Sequence, residues 1–98
     1  MTKEEALQLV KEMEEFLLRV PGPGKNQEAD AFFRERCYKL RVAVPRNMEC
    51  SNVVNWAGIY YSAHKWERYG DAKVRGFLEQ ALGRVKILTE NYYKWISD

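Results

Sequence analysis

The chain has 98 residues, sixteen Lys and Arg against fourteen Asp and Glu, and a net charge of +2. That length supports one core and so one domain over residues 1–98, burying roughly 60 to 70% of the surface the unfolded chain exposes. A content of 46% hydrophobic residues with thirteen aromatic rings excludes general disorder, no apolar run approaches the ~20 residues that cross a bilayer, and +2 is too small a charge to argue for nucleic acid.

The first twenty residues read as an amphipathic helix. Thr2 and Glu5 have the spacing of a capping box, and Ala6, Leu9, Val10, Met13, Phe16, Leu17 and Val20 recur at three- and four-residue steps. Leu7 and Leu18 fall off that stripe. Acidic residues follow Met1 at once and no continuous apolar segment develops, so the N-terminus does not read as a secretory leader and a soluble, cytoplasmic chain is expected.

Pro21-Gly22-Pro23-Gly24 stops the first helix, because Pro cannot continue the ladder of hydrogen bonds. A second helix, capped by Asn26 and running to Val44, then has Ala29, Phe33, Cys37, Leu40 and Val44 along one stripe. Residues 38–44 also alternate as a strand would. Helix is the better reading, since a lone strand has no partner elsewhere in the chain.

A connector from Pro45 to Cys50 leads to a third helix, with Asn47 or Ser51 as its cap and Gly70 as its stop. Val53, Val54, Trp56, Ala57, Ile59, Tyr60, Tyr61, Ala63, Trp66 and Tyr69 point in nearly every direction around it, and a helix apolar on all sides is a buried helix. In so small a chain such burial calls for a second subunit, so a homo-oligomer is expected. Asp71 then caps a fourth, long helix reaching about Ile96, with Val74, Phe77, Leu78, Ala81, Val85, Leu88, Tyr92 and Trp95 near heptad spacing. The expected fold is all-α, a four-helix bundle-like single domain with a long amphipathic C-terminal helix.

Residues able to carry chemistry are few. His64 is the single histidine, with Glu67 and Arg68 three and four residues on, but no nucleophile stands at a recognisable spacing and no catalytic residue is assigned. Cys37 and Cys50 supply too few ligands for zinc and read as free, packed thiols; neither a metal nor a cofactor is expected. Lys25 after Gly22 and Gly24 lacks the strand and the spacing of a phosphate-binding loop. A helix-turn-helix with Lys73 and Arg75 facing DNA would require a recognition helix far shorter than the fourth one.

Positive charge is concentrated in residues 21–46, which carry +3, and aromatic and basic side chains interleave from Tyr60 to Tyr69. Two expectations follow. The first is a non-catalytic binding protein of adaptor or inhibitor type that occupies or sequesters a protein partner through exposed aromatics beside charges. The second is an oligomer that sequesters a nucleotide or other phosphorylated small molecule in a pocket between subunits. There Lys25, Arg34, Arg41, Arg46 and Arg68 would supply cations, and Tyr61 or Trp66 a stacking plane.

Overall fold

Thr2 closes the capping box its spacing predicts: its hydroxyl accepts from the Glu5 amide at 3.2 Å, while the Glu5 carboxylate accepts from the Thr2 amide at 3.3 Å. Helix α1 runs from there over Lys3–Arg19 in the computed structural model, which describes residues 1–20, 22–24 and 26–97. Asn26 caps α2, Gln27–Ala43, by accepting from the Ala29 amide at 3.0 Å. Residues 38–43 are helical, and the α2 stripe Ala29, Phe33, Cys37 and Leu40 is fully buried.

The third helix is shorter than its apolar pattern implies. Helix α3 spans Glu49–Tyr60, and residues 65–68 form a separate 3-10 turn. Two local causes end it. The Ser62 hydroxyl donates to the Ile59 carbonyl at 3.0 Å and accepts from the Lys65 amide at 2.8 Å, offering the backbone an alternative to another helical turn. The segment after α1 then takes two carbonyls at the end of α3: the Gly24 amide donates to Tyr60 and the Asn26 amide to Tyr61, at 3.0 and 3.1 Å. Its first residues also differ from expectation. Met48 stands at the cap position without a side-chain bond, and Asn47, expected as a cap, turns inward instead.

Gly70, at φ +83° and ψ 140°, precedes α4, Asp71–Glu90, so Asp71 is the first helical residue rather than the cap. A side chain is strained at that φ, and glycine is not. Helix α4 stops six residues before the expected end. The Trp95 indole nitrogen donates to the Thr89 carbonyl at 2.6 Å, folding the last residues back as a short helix α5, Tyr93–Ser97. The buried face of α4 is Val74, Leu78, Ala81, Leu82, Val85 and Thr89. An untwisted 3.6-residue period puts Thr89 inward where a strict heptad would choose Leu88.

Successive helices run antiparallel. Phe16 stacks on Phe32 and Glu12 pairs with Arg36 across α1 and α2; Trp56 meets Phe77 across α3 and α4. Each helix packs on its neighbour in the chain, and α1 also packs on α4, so the buried side chains of all four form one cluster in a molecule 45 × 20 × 19 Å across. The all-α expectation therefore holds, with no strand among the described residues. Helix α3 lies against α2 on one side and α4 on the other, within one chain. Its fully buried residues reduce to Cys50, Val53, Ala57 and Tyr60. Within the chain, α2 and α4 supply the burial of these four residues.

Candidate functional site

The residues expected to bind a ligand separate into three environments. Tyr61 is a core residue: its ring stacks on Phe33 at 5.9 Å between centroids, and its hydroxyl donates to the Val20 carbonyl at 3.0 Å. Burial pushes its phenol above the ordinary value of 10. It presents no stacking plane to solvent, which corrects the role expected for it. Trp66 is half-buried, with its indole nitrogen enclosed near Gly24. Lys25 lies outside the described residues.

Arg34 and Arg68 line neighbouring depressions. Arg34 and Lys65 line a shallow depression of about 400 Å³ between α2 and α3, and Lys65 and Arg68 line an adjoining one of about 390 Å³. Asn55, Ile59 and Lys65 belong to both, so the two form one continuous polar trough. Arg34 is held by Asp30 through an ion pair of 3.0 Å, and both side chains lie against the Cβ-free surface of Gly58. Exposed Tyr69 stands at the Arg68 end. His64 is exposed in the trough, outside α3.

Arg41 and Arg46 lie elsewhere, near the connector that joins α2 to α3. Arg46 borders a notch of about 170 Å³ whose walls are Val44, Leu88, Tyr92 and Tyr93. Tyr92 is buried and Tyr93 is 58% exposed, with the rings 5.1 Å apart. Next to Asn47, which anchors the connector to α4, Met48 is 64% exposed. Further out on α2, Tyr38 and Val42 are also exposed, as is Ile87 on α4.

This end is chemically distinct from the rest of the molecule. Antiparallel packing brings the start of α1, the end of α2, the start of α3 and the end of α4 to one end of the bundle, and seven of the nine exposed large apolar side chains among the described residues belong to these segments; Leu18 and Tyr69 are the other two. Arg41, Arg46 and Lys86 belong to the same segments and make no ion pair among the described residues. Exposed apolar side chains beside an unpaired cation, as Leu88 and Tyr93 are beside Arg46, can bury rings and methyl groups and meet a carboxylate. Arg41 and Arg46 were expected in a phosphate pocket, and Leu88 on a buried stripe rather than at a surface notch. An apolar residue near a helix end carries the same signal for core and for surface until the packing is known.

Among the described residues no helix is long and apolar enough to cross a membrane, and no three His, Cys, Asp or Glu side chains cluster as metal ligands. No family model matches the chain, no curated protein matches its sequence, and no solved structure matches it.

Proposed function

We propose that the protein is a small, non-catalytic binding module, bundle-like in arrangement, which occupies or sequesters a protein partner through the apolar end of its helices. The observation that carries this reading is the placing of exposed Leu88 and Tyr93 around the Arg46 notch. Isolated apolar residues on a surface need no explanation, whereas two of them lining a notch beside a cation suit an interface. The partner is a protein segment with an apolar or aromatic anchor for the notch and carboxylates for Arg41, Arg46 and Lys86.

Selection from a displayed random-peptide library tests this, with the Leu88→Glu/Tyr93→Ala double variant used for counter-selection. Enriched peptides should join an apolar anchor to acidic residues and bind the variant at least about tenfold more weakly, the size of effect expected when one interface anchor is lost. Peptides that bind both proteins equally, or no enrichment at all, would remove the reading. Sedimentation of the wild-type chain reports the other occupant of this surface: self-association that disappears in the variant would make a second copy the partner.

A second reading has its own support. Arg34, Lys65 and Arg68 share one trough with Tyr69, an arrangement suited to a phosphorylated small molecule, with Tyr69 taking the stacking role expected of Tyr61. Thermal stabilisation by a nucleoside triphosphate that is lost in Arg68→Ala would favour this site over the apolar end.

A further inference from the structure

Helices α1 and α4 leave a groove between them toward the end of α1 and the start of α4, away from the end that carries Leu88 and Tyr93. Its volume is about 200 Å³, and its lining is Glu14, Leu17 and Leu18 of α1 with Arg75, Glu79 and Leu82 of α4. Leu17 and Leu82 are buried and make its floor, whereas Leu18 is 73% exposed at its rim. An apolar cavity of ~150 Å³ takes up benzene, so this groove has room for one aliphatic or aromatic side chain. The charges around it are not equivalent. Arg75 Nε donates to Glu79 Oε1 at 2.8 Å, and a second guanidinium nitrogen donates to the Leu17 carbonyl at 3.5 Å, giving a partner to an acceptor in the last turn of α1. Arg75 is thus engaged by the protein's own groups. Glu14, half-buried, makes no ion pair among the described residues, so it leaves the groove with a net negative charge.

We infer that this groove is a second interaction surface, which takes a protein segment carrying an aliphatic anchor beside a Lys or Arg. The anchor lies over Leu17 and Leu82 against Leu18, and the cation pairs with Glu14. Charge decides the kind of partner. The notch at the apolar end presents Arg46 and attracts a carboxylate, whereas this groove presents Glu14 and repels one. An isologous dimer through the groove would set the same negative charge on both sides of the contact, which disfavours a second copy as occupant. The two surfaces therefore select segments of opposite charge, and one chain holds two different partners at once.

Selection from a displayed random-peptide library on the full chain, with the Glu14→Gln/Leu18→Asn double variant for counter-selection, tests the groove. Neither change adds a charge that would itself attract or repel a basic peptide. Enriched peptides should join an aliphatic residue to Lys or Arg. They should bind Leu18→Asn about tenfold more weakly, as expected for loss of an anchor contact, and Glu14→Gln about two- to fivefold more weakly, with that smaller effect vanishing at high salt. Leu88→Glu/Tyr93→Ala should bind them as wild type does. No enrichment, or equal binding to the double variant, would overturn the surface. Acidic residues in place of Lys and Arg would overturn the partner assigned to it, and weaker binding to Leu88→Glu/Tyr93→Ala would move the peptides to the apolar end. Self-association of wild type in sedimentation that is lost in Glu14→Gln/Leu18→Asn would put a second copy in the groove and overturn the basic partner.

Discussion

Asn47 donates its side-chain amide to the Thr89 hydroxyl at 3.0 Å, joining the α2–α3 connector to the last turn of α4 across 42 positions of chain. Both are fully buried, and they are the buried polar side chains among the described residues. The Thr89 hydroxyl in turn donates a hydrogen bond to the Val85 carbonyl at 2.7 Å, so the chain of bonds anchors the connector to α4. Burying polar groups costs stability unless they are paired, so this pair sets the position of Met48 and Arg46 at the apolar end.

Asn47→Ala should therefore destabilise the fold by about 1–3 kcal/mol, and Thr89→Val by a comparable amount, because each leaves a buried partner with its bond unmade. The double variant should cost less than the two single changes added together. Urea unfolding of the four proteins measures the coupling; strict additivity would show that the bond contributes nothing.

Gly83 and Gly70 should respond in opposite directions to alanine. Gly83 is an exposed position within α4, with open space where a Cβ would go, so Gly83→Ala should stabilise by up to about 1 kcal/mol through helix propensity. Gly70 has equal space but a φ of +83°, and Gly70→Ala should destabilise by about 1–3 kcal/mol. Melting temperatures that move the same way in both variants would contradict the backbone argument.

Alkaline pH should weaken the protein. Burial raises the Tyr61 phenol above its ordinary 10. The folded state therefore favours the protonated form. Its contribution is complete below the unfolded value and is lost as pH rises toward the folded one, by up to about 1.4 kcal/mol per pH unit. Unfolding free energy should fall above pH 10. Tyr61→Phe should flatten that fall while lowering stability at neutral pH through loss of the Val20 hydrogen bond. An identical slope in the variant would place the alkaline sensitivity elsewhere.

The apolar end should be adjustable without harm to the fold. Tyr93 is mostly exposed and Leu88 is 39% exposed, so Leu88→Glu/Tyr93→Ala should change unfolding free energy by only about 0.5 kcal/mol. A loss of several kcal/mol would mean that these side chains hold the molecule together rather than serve a partner.

The helices were legible in the chain because their signals are local. Thr2 and Asn26 cap the helices they precede, and the stripes through Ala6, Val10, Met13 and Leu17 and through Ala29, Phe33, Cys37 and Leu40 are the faces that become buried. The breaks after Tyr60 and Glu90 were less legible. They depend on Ser62 capturing nearby backbone and on Trp95 turning back to Thr89, and side chains of those types also occur inside longer helices. An apolar pattern continuing past Tyr60 carried no mark of the 3-10 turn that interrupts it.

The candidate sites depend still more on the third dimension. Leu88 and Thr89 are adjacent in the chain, yet one lines the surface notch and the other is sealed in the core. Tyr61 and Tyr93 are chemically alike, but the first is locked between Phe33 and the Val20 carbonyl while the second is open to solvent. Met13 and Cys37 meet only because two antiparallel helices bring together positions 24 apart in sequence. Residue order by itself determined the helices and their inward faces, since capping and periodicity act over three or four residues. Which side chains share a pocket, a surface or a core contact was decided by tertiary packing, because those distances are set between helices and leave no periodic trace along the chain.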